Sequence, residues 1–450
     1  MPPMAHPELP VPDGLVLRPF RGVRFAVDDL AAVTSPPYDL IGETGVRELL
    51  DAHPNNVVRL ILPGTDHHRY AEARQTLHSW LSSGVLVTDE EPAVYVYEQS
   101  GPGILQRGLI AEVALAAPEQ RTILPHEDVM PGPVADRLAL MRTTEANLEP
   151  IFLLYGGRDG TATRLVDLIA ASRTPLVETE TGDGIAHRLW AVTDPDELAA
   201  IDTDLRPRQA LIADGHHRYA TYRALQADHH LTAGPGDGAA VRGRTGGGTG
   251  PGSRPHGGAQ PWDFGLALLV DSDAYPPDLK AIHRVVPGLP LEEAVNRAKT
   301  AWQVHEHPDL AIGLAALREA REPAFLLTAG GSAHLITDPD RRRVQRAMPA
   351  GRSARWQALN TSVLAEFLLP RVWGTRDDEQ SVRIVHHDPE AAARLARDCG
   401  GTAVLMNPLA VDDVLAVAAQ GERVPRKSTS FGPKPRTGLV MRLLTPSPQR

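Results

Sequence analysis

One cysteine, Cys399, is all that the 450-residue chain carries, so it can form no internal disulfide and no cluster of thiolate metal ligands, and it suits a reducing compartment. No block of five or six lysines or arginines occurs, and 56 acidic against 46 basic side chains leave a formal net charge of -10. Binding a phosphate backbone takes a concentrated basic surface, so nucleic acid is not an expected partner. Nor is there a run of about 18 apolar residues, the length a spanning helix needs. Residues 1–14 are rich in proline and lack the basic and apolar stretches of a signal peptide. The expectation is a cytoplasmic protein without a membrane partner, preceded by a disordered tail over 1–14.

What is present is ordinary folding material: 42% hydrophobic and 23% charged residues, well outside the disordered regime. At this length one core is not enough. The expected organisation is a single domain over 15–445 in two subdomains, about 15–160 and 161–445. A Gly-, Pro-, Ser- and Thr-rich stretch over 231–260 buries too little apolar surface to order itself, and is expected to be a disordered insertion.

Strands are expected at 56–62, 94–98, 108–115, 151–155, 210–213, 264–270 and 438–444, where β-branched and aliphatic residues run together or alternate. Apolar spacings of three and four predict helices over 69–83, with Ala73, Leu77, Trp80 and Leu81 on one face, and over 291–304 and 361–369. The mixture of hairpins and crossovers predicts an α+β fold of mixed sheets with packed helices.

The strongest chemical signal is the run from Leu211 to Ala220, in which an apolar strand enters Asp214-Gly215-His216-His217-Arg218 and a helix follows. A helix start carries partial positive charge where an anion can dock. Arg218 adds a planar cationic fork, and His216 and His217 add donors or metal ligands. Asp214 is a candidate metal ligand or base. The plainer reading, an Asp-capped helix after a glycine turn, stands beside this one. Asp66-His67-His68-Arg69-Tyr70-Ala71 repeats the letters without the glycine and is expected to be a solvated helix start. Pro125-His126-Glu127-Asp128 sets an imidazole beside carboxylates, outside the His-Glu-x-x-His spacing that puts two ligands on one helical face. His126 and Glu127 are candidates for proton transfer, and Glu127 for metal. Asp39, on the rigid turn after Pro36-Pro37, is a further candidate base. Near the C-terminus Lys427, Ser428 and Thr429 combine a point charge with two hydroxyls suited to a phosphate or carboxylate. An exposed basic loop is the plainer alternative there.

Taken in order, Pro36-Pro37-Tyr38-Asp39, Pro125-His126-Glu127, Asp136-Arg137-Leu138, Asp214-Gly215-His216-His217-Arg218 and Lys427-Ser428-Thr429, then Pro433-Lys434 and Gly438-Leu439, resemble the family carrying domain of unknown function 1015 over 15–444. Its Asp-Gly-His-His-Arg turn is similar to one in the ParB and sulfiredoxin superfamily, which includes nucleotide-binding partition proteins and free-serine kinases. The resemblance implies a ParB/sulfiredoxin-like nucleotide-binding core elaborated by further α/β subdomains. It implies phosphate binding by Gly215, His216, His217 and Arg218, with Lys427, Ser428 and Thr429 as further ligand contacts, and metal binding or catalysis by Asp214. The implied cofactors are a nucleotide (ATP, ADP or CTP) and Mg2+. The implied activity is phosphoryl transfer to a small hydroxylated metabolite, serine or a related hydroxy amino acid. A nucleotide-gated regulatory protein and a metal-dependent phosphoester hydrolase are the alternatives. Two features depart from the family pattern: Ser430-Phe431-Gly432 stands where an aromatic-rich segment is usual, and the insertion after His230 is atypical.

Overall fold

The computed structural model describes residues 9–232 and 259–445. Most of the tail expected over 1–14 and of the insertion expected over 231–260 lies outside the described residues. The chain divides into two compact units. The first comprises residues up to Ile123, Val129–Pro276 and the stretch from Pro433 onward; the second comprises Leu124–Asp128 and Pro277–Gly432. The division expected near residue 160 does not occur, because strands on both sides of that point share one sheet. The fold is α+β.

The first unit is built on a nine-stranded sheet. Its strands are β1 (Leu17–Arg18), β2 (Val94–Gly101), β3 (Ile104–Ala114), β4 (Ile123–Leu124), β5 (Ile151–Tyr155), β6 (Val177–Glu180), β7 (Ala186–Val192), β8 (Ala210–Asp214) and β9 (Phe264–Asp271). They lie in the order β4-β8-β5-β9-β3-β2-β7-β6, with β1 beside β3. β5 and β9 run parallel, whereas β8 is antiparallel to β5 and β3 is antiparallel to β9 and β2. Every residue of β5 and β9 is buried. Strands covered on both faces are written as continuous apolar runs, which is how Ile151-Phe-Leu-Leu-Tyr155 reads.

Helices α1 (Arg69–Ser82), α2 (Pro131–Thr144), α3 (Thr161–Ser172), α4 (Pro195–Leu205) and α5 (His216–Thr232) belong to this unit. α5 sends Tyr219, Tyr222 and Leu225, spaced by three, into the sheet's core beside Val166 of α3 and Leu205 of α4. Each such buried side chain contributes about 1.5–3 kcal/mol. Tyr222 lies so close over Gly265 that a Cβ there would sit 2.2 Å from its ring, and its hydroxyl donates to the carbonyl of Glu149 at 3.1 Å. Gly265 is thus required by α5.

The strand expected over 56–62 is instead a short helix, Val58–Ile61. Asn56 decides this against the β-branched valines: its Oδ1 accepts from the Val58 amide at 2.9 Å while its Nδ2 donates to Ala32 O, which starts a helical turn. The strand expected over 438–444 narrows to Arg442–Leu443, and Met441 makes an isolated bridge to Val23.

The second unit carries a six-stranded antiparallel sheet of β10 (Ile282–Val286), β11 (Gln303–His307), β12 (Phe325–Thr328), β13 (Ala333–Thr337), β14 (Arg383–His386) and β15 (Thr402–Leu405), ordered β11-β13-β12-β15-β10-β14. The helix expected over 291–304 ends at Ala298 and yields to β11. The helix expected over 361–369 is α-helical only at Asn360–Val363 and continues as a π-helix, Leu364–Trp373, with Pro370 inside it. Pro370 has no N–H to give to the helix ladder, and Gly374, at φ 73°, closes it.

Candidate functional site

In the first unit the site begins with a defect in β8. Ala210, Leu211 and Ile212 pair with Tyr155, Leu154 and Leu153, but the register then shifts so that Asp214 faces Phe152 and Ala213 is the extra residue. A bulge of this kind re-aims the side chain that follows it. Gly215 completes the turn at φ 91°, a left-handed conformation in which a Cβ would also lie 3.0 Å from Ile151. α5 starts immediately at His216, so the positive end of its dipole lies beside Asp214.

Lys434 closes this end. Its ammonium is 2.6 Å from Asp214 Oδ1 and 2.5 Å from Asp39 Oδ2, and its side chain is only 11% exposed. Pro433 and Pro435 flank it and stiffen the backbone that delivers it. Burial alone would push the Asp39 carboxyl up, but Lys434, then Arg218, reverse this and hold it below the usual carboxylate range. Burial likewise disfavours the charged Lys434, and Asp214 and Asp39 override it, so its ammonium is held more firmly than usual.

Arg218 does not serve as expected. It is 4% exposed, with Nη1 donating to Pro150 O at 2.6 Å and Nη2 to Asp214 Oδ2 at 2.5 Å. Its guanidinium is turned inward and fixes Asp214, so the expectation of a phosphate-facing fork is replaced by that of a positioning residue. The cavity beside it, lined by Arg137, Glu149 and Tyr222 among others, is about 30 Å³. Pockets for small ligands are about 300–1,000 Å³, so this one is too small for a nucleotide.

Two more groups complete the cluster. Glu149, buried, accepts from the Tyr38 amide and from the Thr437 hydroxyl, both at 3.1 Å. The Arg137 guanidinium lies 4.7 Å from the Tyr38 ring centroid. Asp39, Asp214 and Glu149 are thus three acidic side chains gathered with three cations, Lys434, Arg218 and Arg137. His217 lies at the edge, its Nε2 accepting from the Met130 amide at 3.1 Å, which requires the proton of a neutral ring to be on Nδ1. His216 is buried at the first position of α5.

The second unit gathers another part of the expected set. The Thr429 hydroxyl donates to Glu127 Oε1 at 3.1 Å and lies 2.7 Å from His126 Nε2. Because the hydroxyl proton goes to Glu127, His126 Nε2 is the donor in the second bond. Ser428 turns its hydroxyl back to Pro425 O at 2.6 Å and is buried, so it closes a turn. Lys427 is half-buried, with its backbone left-handed at φ 49°.

Sequence reasoning missed Glu149 and gave Lys434 no role. The available signals were an acid wedged between the chain before it and the apolar strand beyond Pro150, and a lysine clasped by two prolines. Asp136 accepts from the Tyr70 hydroxyl at 2.6 Å and from Arg137 Nε at 2.9 Å. Among the described residues, Asp66, His67 and His68 form the one group of three possible metal ligands lying within 4.8 Å of one another, and all three are exposed. Asp214 and Glu127, the expected metal ligands, belong to the first and second units respectively.

Comparison with known proteins places residues 17–362 within the family model described as "Protein of unknown function (DUF1015)". No curated protein matches. Among solved structures, a free serine kinase in complex with AMP is 15% identical, covering 72% of this chain and 87% of its own, with a TM-score of 0.32. A conserved hypothetical protein from Pyrococcus furiosus is 13% identical over 72% and 90%, with a TM-score of 0.32. SbnI from Staphylococcus aureus, truncated at its C-terminus, is 11% identical over 72% and 82%, with a TM-score of 0.33. Likenesses this loose carry no argument about chemistry.

Proposed function

The chain belongs to the DUF1015 family, and from that membership together with the cluster around Lys434 we propose that it is a nucleotide-dependent phosphotransferase acting, with Mg2+, on a small hydroxylated metabolite. The observation that carries this reading is an ammonium clamped between two carboxylates, Asp39 and Asp214, beside the first turn of a 17-residue helix. Phosphoryl transfer is mostly positioning and charge neutralisation. Lys434 would turn to the transferring phosphate, which would free Asp39 and Asp214 as hard oxygen ligands for a divalent cation. Magnesium is commonly held by one or two carboxylates, with phosphates and water completing its shell, so two acids suit it without a third protein ligand. When bound, the metal would supply positive charge where the transferring phosphate brings negative charge.

The remaining assignments follow from the same geometry. Arg218 holds Asp214 in place, and Gly215 allows the backbone to approach a phosphate closely. His216 and His217 border the phosphates at the start of α5. In the transfer step the acceptor oxygen would bond to the terminal phosphorus as the bond to the leaving nucleotide oxygen breaks, and the acceptor's proton would be released to solvent. The resemblance of Asp214-Gly215-His216-His217-Arg218 to the ParB and sulfiredoxin turn supports a nucleotide at this position. The reading needs only the first unit.

Its test is a screen of the purified chain with ATP, ADP or CTP, with and without L-serine and Mg2+, followed by phosphorus NMR. A phosphorylated product that requires the acceptor is expected, and Asp214→Asn should reduce its rate at least about a hundredfold. Nucleotide hydrolysis indifferent to acceptor would point to a nucleotide-gated switch. Phosphate release from simple phosphoesters would point to a hydrolase.

A further inference from the structure

The second unit holds a cleft of about 400 Å³ that no part of the proposed chemistry uses. The π-helix Leu364–Trp373 forms one wall through Glu366, Pro370 and Arg371; Arg376 and Asp377 follow it, and Pro425 and Arg426 form the other wall. π-Helical turns are rare and are frequent at functional sites.

Charge is what distinguishes this cleft. Asp377 Oδ1 is 3.5 Å from Arg426 Nε and 3.5 Å from Nε of Arg284, which lies behind it and is 1% exposed. Neither contact has hydrogen-bond geometry: Asp377 Oδ1, Arg284 Nε and Arg426 Nη2 are all buried without a hydrogen-bond partner. Backbone carbonyls take part of the load, since Arg426 Nε donates to Asp377 O at 2.9 Å and Arg284 Nη2 to Arg426 O at 2.8 Å. Burial disfavours the charged Arg284. Four guanidinium groups, Arg371, Arg376 and Arg426 in the lining and Arg284 behind it, therefore stand against three carboxylates, Glu366, Asp377 and, on Arg284, Glu127, with donor capacity left over. The excess of positive charge lies on the open side of the cleft, at Arg371 and Arg376, where an entering anion meets it.

We propose that this cleft is a binding site for a small oxyanion-bearing metabolite, a phosphate ester or polycarboxylate whose anionic group is held by Arg371, Arg376 and Arg426. A guanidinium fork matches the paired oxygens of either group. The cleft's size suits a sugar phosphate or citrate better than a lone phosphate ion. It lies wholly within the second unit, so the proposal is independent of the phosphotransferase reading.

The test is calorimetric titration of the full chain with glucose 6-phosphate, citrate and inorganic phosphate, at constant ionic strength against chloride. Saturable binding of glucose 6-phosphate or citrate is expected, and which of the two binds more tightly identifies the anionic group. Arg371→Ala/Arg376→Ala, at two exposed positions whose loss spares the core, should weaken it at least tenfold without moving the thermal midpoint of the anion-free protein. Lys434→Ala should leave it unchanged. Equal affinity in wild type and the double variant, or no saturable binding at all, would overturn the proposal. Binding abolished by Lys434→Ala but kept by the double variant would overturn it too, while locating the anion in the first unit.

Discussion

Residues 66–71 and 214–220 are spelled almost alike, Asp-His-His-Arg-Tyr-Ala against Asp-Gly-His-His-Arg-Tyr-Ala, yet they fold into opposite environments. In the first, Asp66, His67 and His68 are exposed, and Arg69 donates to Tyr70 and Asp136 from the surface. In the second, a bulged strand buried in a nine-stranded sheet delivers Asp214, a left-handed glycine turns the chain, and Arg218 is swallowed by the core. The letters alone do not make a site. What separates the copies is an apolar strand ahead of the turn and the single residue that can adopt φ 91° there.

The largest break in this comparison should come from Arg218→Ala, which strands Asp214 Oδ2 and Pro150 O inside the protein. Removing one partner of a buried ion pair costs about 3–5 kcal/mol, and because Lys434 still holds Asp214 Oδ1 the lower end of that range is expected. Chemical denaturation should show that loss, and should show no measurable loss for Arg69→Ala. A small change in Arg218→Ala would mean that its fork is not structural.

Gly215→Ala should follow, costing about 1–3 kcal/mol for a non-glycine residue held in a sparsely populated backbone region. Ile151, 3.0 Å from the new Cβ, has little room to yield. Lys434→Ala should act mainly on acid stability. The folded value of Asp39 lies below its unfolded value, so its stabilising contribution is complete above about pH 4 and is lost as the pH falls below that, through the folded value. Without Lys434 the folded value rises towards the unfolded one, so the acid-linked loss should shrink, and a pH series of unfolding midpoints would read it. An unmoved acid limb would show that Arg218 alone sustains Asp39.

The smallest effect is expected from inserting a glycine after Asp66. That restores the spelling of 214–220 in the exposed copy but supplies neither strand nor core. Unfolding midpoint and nucleotide binding should both be unchanged, and a new nucleotide affinity would show that the motif is sufficient by itself.

Much of the fold was legible beforehand. The strand at 151–155 was read to the residue, because a doubly covered strand must be apolar throughout. The start of α5 was legible from a glycine between an apolar run and a helical pattern of tyrosines. The helix at 58–61 was not, because one asparagine's hydrogen bonds outweighed the propensity of two valines. At the site, Asp214 and Gly215 were legible as a turn. The inward aim of Arg218 was not, since the same residue after the same letters points outward in the other copy.

By itself, then, the order of residues determined which stretches are apolar enough to become strands and helices, where glycine and proline interrupt them, and which family the chain resembles. Only the tertiary structure decided that Lys434 meets Asp39, 395 positions away, and that Glu149 joins them. Backbone preference acts over a few neighbours, whereas the partner of a buried charge is set by which distant segments the sheet brings together.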